Sequence, residues 1–276
     1  MPEGPELRHS RDVLRKILKG KSIVGLKSNE EGRYGLKGPE SMSFVCETLP
    51  LLIEEIETKG KFMWWTLRSP EAKWYLWSTY GMSGQWTGAK KKHSGFEVEY
   101  LDAGSSKKIY FVDPRHFGTI KFVKDEKQHT KKLASLGPDI LVDPPLAPEI
   151  FAERVLLKPS RTISEALMDQ RGISGVGNYL KAEALYRAKI SPHRIVSDMT
   201  SEEILSLWSE VVLTARESYA DHGASIRTYK TVEDVAGGAQ FEFRVYNKKA
   251  CPVGHAVVSE ETLDKRTSWW CKTCQR

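Results

Sequence analysis

The sequence predicts an α+β chain of two domains: an N-terminal helix plus β-sandwich, then a helical domain that closes on a metal-binding β-hairpin. Two observations carry this. From residue 21 to about residue 123 the apolar residues fall in short β-type runs, and after about residue 133 they recur with a helical period. Three of the four cysteines lie in the last 26 residues, too clustered for a secreted disulfide scaffold and suggestive of a metal.

Pro5 to Leu18 reads as a helix, because Leu7, Val13, Leu14, Ile17 and Leu18 share one face, Arg and Lys take the other, and Gly20 supplies a stop. Strands are expected at Ser22–Leu26, Phe62–Leu67, Trp74–Ser78, Phe96–Tyr100, Ile109–Val112 and Thr119–Val123, divided by Gly-, Ser-, Asn- and Lys-rich turns. Asp125 to Lys132 is charged and reads as a linker. Helices follow at Pro148–Leu157, Ile163–Met168, Tyr179–Arg187 and Ser201–His222, the last headed by a Thr200/Glu203 capping box. Between the second and third lies Gly175-Val176-Gly177-Asn178 in a glycine-rich turn. Its exposed N–H groups would suit a phosphate, and a plain helix–helix turn is the alternative. His222 to Val245 reads as a mobile loop. The tail from Arg244 is net basic.

Lys plus Arg outnumber Asp plus Glu by 42 to 36, and the sequence pI is about 9.0. That balance favours a polyanionic partner and equally allows a mildly basic enzyme. No run is long and apolar enough for a membrane-spanning helix, and no secretory leader is recognisable, so a soluble intracellular protein is expected.

Chemistry concentrates first at Met1-Pro2-Glu3-Gly4-Pro5-Glu6. With Met1 removed, Pro2 presents a secondary amine that titrates near pH ~8 and is nucleophilic at neutral pH. Attack on a sugar C1′ would form an iminium ion, with Glu3 beside it to pass protons. An acidic terminus that merely leads into a helix is the alternative. Cys251-Pro-Val-Gly-His255 and Cys271-Lys-Thr-Cys274 form two knuckles suited to tetrahedral zinc, against a metal-free hairpin. Between them Arg266 could make a bidentate phosphate contact. Lys61 opens an apolar strand. The turns Tyr80–Gly84 and Asp113–Gly118 expose Met82, Arg115 and Phe117, which could fill the gap left by an extruded base or could simply pack.

Together these segments resemble the formamidopyrimidine-DNA glycosylase and endonuclease VIII family, over nearly the whole chain and in the same order. The matching motifs are Pro2-Glu3-Gly4-Pro5-Glu6, Gly60-Lys61, Gly81-Met82-Ser83-Gly84, Asp113-Pro114-Arg115-His116-Phe117-Gly118, Leu136-Gly137-Pro138-Asp139, Gly175-Val176-Gly177-Asn178 and the closing cysteine hairpin. The resemblance implies an N-terminal helix and β-sandwich over residues 1–124, a helix-two-turns-helix domain over 133–245 and a zinc-finger hairpin over 246–276, with DNA bound between the domains. It implies a monomeric base-excision repair enzyme, a glycosylase and abasic-site lyase. Pro2 resembles the family's nucleophile, Glu3 its general acid and Lys61 its phosphate-contacting active-site lysine. Met82, Arg115 and Phe117 resemble the void-filling triad, and Asn178 and Arg266 the phosphate clamps.

The chain departs from the family pattern twice. Gly254 stands where the commonest finger has its second cysteine, so His255 is expected to complete the zinc ligands with Cys251, Cys271 and Cys274. Ser164 stands near where many relatives carry a lysine by the lesion. Gly177-Asn178-Tyr179-Leu180 and the histidine finger lean towards the endonuclease VIII-like branch, which implies oxidised pyrimidines and hydantoins as substrates. Two alternatives stay open: an oxidised-purine glycosylase and a non-catalytic damaged-DNA-binding relative.

Overall fold

Helix α1 (Gly4–Leu18) lays Leu7, Leu14 and Leu18 into a buried core, while Arg15 on its outer side pairs with Glu55 at 2.7 Å. The computed structural model describes residues 2–30, 32–224 and 241–276. The expected loop over 222–245 falls largely outside the described residues. Two compact units are distinguished, one comprising Glu6–Ala134 with Pro2, the other Glu3–Pro5, Ser135–Ala224 and residues 241–276.

In the first unit eight antiparallel strands follow α1: β1 (Ser22–Ser28), β2 (Leu51–Lys59), β3 (Phe62–Arg68), β4 (Lys73–Thr79), β5 (Gln85–Thr87), β6 (Ser94–Asp102), β7 (Ser105–Val112) and β8 (Thr119–Val123), with short helix α2 (Met42–Cys46) after β1. Their order is β5-β7-β6-β1-β2-β3-β4-β8. The sheet folds over on itself, because Trp65 of β3 and Trp86 of β5, far apart in that order, lie with ring centroids 4.8 Å apart. Phe96 of β6 likewise meets Phe122 of β8 at 6.2 Å. This is the expected sandwich, with its core between the two halves. Strand β2 escapes the period-2 pattern because a bulge between Ile53 and Glu55 breaks its alternation.

Most of the stretch Asp125–Lys132, expected to be a linker, lies in helix α3 (Glu126–Ala134). Its first turn is capped by Asp125 Oδ1, which accepts the Lys127 N–H at 2.8 Å. His129 anchors it, stacking on Tyr75 at 3.8 Å and accepting the Trp77 Nε1–H at Nδ1, 3.0 Å away. A charged helix is thus held by a buried imidazole on an aromatic sheet face, with Glu126 also accepting from Lys73 at 2.9 Å and Tyr75 at 3.2 Å. Burial, then the Lys73 charge, hold His129 below its ordinary pKa, with Glu126 opposing. The unfolded chain therefore takes up a proton here before the folded one does. This contribution is fully present above pH ~6.5 and is lost as pH falls from there through the depressed folded value. Thermal unfolding measured from pH 7.5 to 5 should show an acid-side loss that His129→Phe flattens.

The second unit contains α4 (Pro148–Leu156), α5 (Ile163–Met168), α6 (Asn178–Arg187) and α7 (Ser201–Ala220), then β9 (Val258–Glu261) and β10 (Thr267–Trp270). Helix α7 buries Ile204, Leu207, Trp208, Val211 and Ala215, a 3–4 spacing, and Trp208 stacks on Phe151 of α4 at 4.8 Å. Capping boxes head both α7, at Thr200/Glu203, and α5, at Thr162/Glu165. Among the described residues no helix is long and apolar enough to cross a membrane.

Candidate active site and metal-binding hairpin

The N-terminus of α6 organises the second unit. Glu3 is buried, 2% exposed, and its carboxylate accepts the N–H groups of Gly177 at 2.8 Å, Tyr179 at 2.9 Å and Leu180 at 3.3 Å. Gly4 adds a backbone bond to the Gly175 carbonyl at 2.9 Å. These donors were expected to be open to phosphate, and they are occupied by Glu3 instead. A helix start satisfied by a carboxylate needs no further anion. The same contact explains Gly177, since a Cβ there would lie 2.2 Å from Glu3 Cδ. Glycine is required at that point for close approach, its own backbone being extended.

Asn178 is the first residue of α6, and its Nδ2 donates to the Thr267 carbonyl of β10 at 2.7 Å. One turn on, Lys181 is wholly buried; its Nζ donates to Asp264 Oδ2 at 2.6 Å and Ser268 Oγ at 2.7 Å. Burial pulls the Lys181 ammonium towards neutrality, which Asp264 and then Glu3 oppose. The other Asp264 oxygen accepts the Thr262 hydroxyl at 2.6 Å and the Arg266 N–H at 3.2 Å. The turn is closed by the Thr262 N–H to the Arg266 carbonyl at 3.1 Å, and the Arg266 side chain is exposed. Helix α6 therefore carries Asn178 and holds the β9–β10 turn that carries Arg266.

Glu183, also buried, accepts the N–H groups of Arg244, Val245 and Tyr246 at 2.8, 3.0 and 2.8 Å. This fastens the chain entering the hairpin. Beyond it the donor atoms of Cys251, His255, Cys271 and Cys274 all lie within 4.8 Å of one another. Cys251 Sγ is 4.0 Å from Cys274 Sγ, and His255 Nδ1 is 3.2 Å from the same sulfur. Such a set of soft donors suits a structural metal ion. Gly254 turns the first knuckle with φ +87°, so its place is conformational, and His255 brings the fourth donor atom into the cluster. Gln275 ties the second knuckle down, accepting the Cys271 N–H at 2.8 Å and donating to the Ile190 carbonyl at 2.8 Å.

In the first unit, Asp113 joins the two glycine turns. One oxygen accepts the Ser83 hydroxyl at 2.6 Å and the Arg115 N–H at 3.3 Å, the other the Gly118 N–H at 2.6 Å. Gly81, at φ +55°, passes so close to Phe117 that a Cβ would lie 2.5 Å from its carbonyl carbon. Met82, half-buried, and Arg115 and Phe117, both exposed, thus project from fused loops. The Arg115 guanidinium sits 5.6 Å from the Phe117 ring centre. Lys61 is half-buried in the β2–β3 turn, where Gly60 takes φ +58°. Pro2 is buried.

The sequence reading missed Asp113, Ser83, Lys181, Asp264 and Glu183. A signal existed only for Asp113, whose place at the head of an Asp-Pro turn marks a side chain that binds backbone N–H groups.

Comparison with known proteins places these features together. Residues 1–120 match the model of the formamidopyrimidine-DNA glycosylase N-terminal domain, and residues 136–230 that of the formamidopyrimidine-DNA glycosylase H2TH domain. The chain is 30% identical over 280 residues to the formamidopyrimidine-DNA glycosylase of Desulfitobacterium hafniense, covering 100% of both chains. To that of Bdellovibrio bacteriovorus it is 31% identical over 287 residues, again 100% of both. The crystal structure of the MutM (Fpg) protein from Thermus thermophilus superposes with a TM-score of 0.83 at 26% identity, covering 99% of this chain and 98% of that one. The Lactococcus lactis Fpg complexed with DNA containing an abasic site shares the fold, at TM-score 0.83 and 22% identity over 99% of each chain. With models matched over residues 1–120 and 136–230, full-length relatives and a common fold, the chain belongs to the formamidopyrimidine-DNA glycosylase family of base-excision repair, whose members are DNA glycosylases with abasic-site lyase activity.

Proposed function

We propose that this chain excises oxidised bases from DNA with the Pro2 amine as nucleophile, oxidised pyrimidines and hydantoins being preferred. The carrying observation is the anchoring of Glu3, the residue after Pro2, by three helix N–H donors. A terminus fixed in this way can present an amine in one geometry, and orientation accounts for much of catalysis.

The Pro2 nitrogen lone pair attacks C1′, the glycosidic bond breaks with its electron pair leaving on the base, and ring opening at O4′ gives an iminium ion. Glu3 balances the positive charge and relays the proton needed at the sugar oxygen, and Lys61 contacts phosphate. Loss of a C2′ proton expels the 3′ phosphate in β-elimination; δ-elimination then expels the 5′ phosphate, and water releases Pro2. A stacked base is out of reach, so the nucleotide is extruded at a cost of a few kcal/mol. Met82, Arg115 and Phe117 fill the vacated space, and Asn178 and Arg266 clamp the backbone. In this assignment residues 1–124 carry the chemistry, 133–245 bind DNA, and 246–276 form a finger whose Cys251, His255, Cys271 and Cys274 hold one zinc ion. The protein acts as a monomer.

The endonuclease VIII-like lean is supported by the histidine in the finger and by the Gly177-Asn178-Tyr179-Leu180 segment. Duplexes carrying a single oxidised pyrimidine, hydantoin, 8-oxoguanine or formamidopyrimidine, incubated with borohydride, test the reading. The first two should react roughly tenfold faster, about 1.4 kcal/mol. Faster reaction of 8-oxoguanine would move the chain to the purine branch, and no trapped species on any duplex would sink the chemistry.

A further inference from the structure

We propose that Lys181 and Asp264 are positioning residues for DNA binding: their buried ion pair holds the turn that carries Arg266 at a fixed place on the helix that carries Asn178. The inference rests on the reading of Arg266 as a phosphate clamp and adds residues that reading does not contain.

The pair is isolated from solvent, the side chains being 0% and 3% exposed, with Nζ to Oδ2 at 2.6 Å. A buried ion pair adds little net stability against an apolar pair of similar volume, and its best-attested use is to select one geometry. The hydrogen bonds of both side chains run to the β9–β10 hairpin. Lys181 reaches Asp264 and Ser268, residues before and after Arg266 on the same hairpin. Asp264 in turn accepts the Arg266 N–H and the Thr262 hydroxyl, while Thr262 is hydrogen-bonded to the Arg266 carbonyl. The amide and carbonyl of Arg266 are thereby fixed on both sides, and the fixing group is bonded to α6. Asn178, three residues before Lys181, bonds the adjoining Thr267 carbonyl. Two phosphate-contacting side chains about one helical turn and one hairpin apart are held as one rigid bracket, whose span sets which pair of phosphates it can grip. Apolar side chains at both positions would pack the space and leave the bracket able to slide.

The test is a double-mutant cycle on the full chain with its metal bound. In Lys181→Met/Asp264→Asn both charges are removed together and the asparagine keeps an acceptor for Thr262 and Arg266, so the Lys181 tie to α6 is lost while the Asn178 bond to the Thr267 carbonyl remains. Binding to a duplex with an abasic-site analogue is measured against salt. Affinity should fall roughly tenfold, and the log–log salt slope should drop by about one, the loss of a single phosphate contact. Arg266→Ala should do the same, and the combined variant no more than either. If Arg266→Ala is without effect, the clamp reading itself fails. If Arg266→Ala acts and the pair variant leaves affinity and slope unchanged, or if the two effects add, this inference alone fails. Should the pair variant not fold, Ser268→Ala, which removes one Lys181 partner, decides: a partial loss of affinity with a shallower slope supports the bracket, and unchanged binding overturns it.

Discussion

A variant with one extra residue ahead of Pro2 should bind an abasic-site duplex and leave it uncut. The added residue turns the secondary amine of Pro2 into an amide, whose nitrogen lone pair is delocalised and cannot attack C1′. Glu3 would still be held by α6, and the loops carrying Met82, Arg115 and Phe117 are built without the terminus, so binding is retained. The expected loss in strand cleavage is on the order of 10³-fold or more, as for removal of a nucleophile elsewhere. Gel retardation reports binding, borohydride trapping the covalent species, and intact-mass measurement the removal of Met1 from the active form. Normal cleavage by the extended protein, or trapping of Pro2→Gly with undiminished efficiency, would refute the assignment.

Removing the metal should have the second-largest effect. The hairpin packs through a small cluster shared with α6, Ala182, Val245, Cys251 and Cys271, with Tyr186, Tyr246, Val257 and Cys274 packed against it. That cannot hold two knuckles once four ligands lose their common ion; in finger peptides a structural zinc supplies ~10–16 kcal/mol of folding free energy. Chelation, or Cys271→Ser, should release one zinc per chain. It should loosen the β9–β10 turn and weaken binding to abasic DNA about 100-fold, ~2.8 kcal/mol. Trp269 and Trp270 report the change by fluorescence, because Trp270 Nε1 donates to Glu260 at 2.7 Å and Trp269 packs on Tyr246 at 4.6 Å. A purified protein without stoichiometric zinc that binds DNA normally would remove the finger from the account.

What could be read in advance divides by the range of the interaction that decides it. Helix α7 was legible because Thr200 and Glu203 are three residues apart, and the cysteine knuckles because metal ligands must recur at short spacing. Strand β2 was not, since Glu54 and Glu55 sit at its bulge and blur the alternation. Helix α3 was not, since a run of Lys, Gln and Glu carries no sign that His129 will stack on Tyr75. Glycine at 177 looked like a cradle for phosphate, and the group it admits comes from residue 3, 174 positions away. Lys181 was hidden most completely: a lysine in a helix is expected in water, and only the fold shows a carboxylate waiting inside.

The bond between Glu3 and α6 also fixes an order of events. Glu3 lies beside α1, yet the donors that orient it belong to residues 177–180, more than 170 positions along the chain. Until that long-range contact closes, Pro2 is an amine like any other, without the pose that chemistry on a sugar requires. Strand cleavage by the proposed mechanism would thus depend on this one long-range contact being closed.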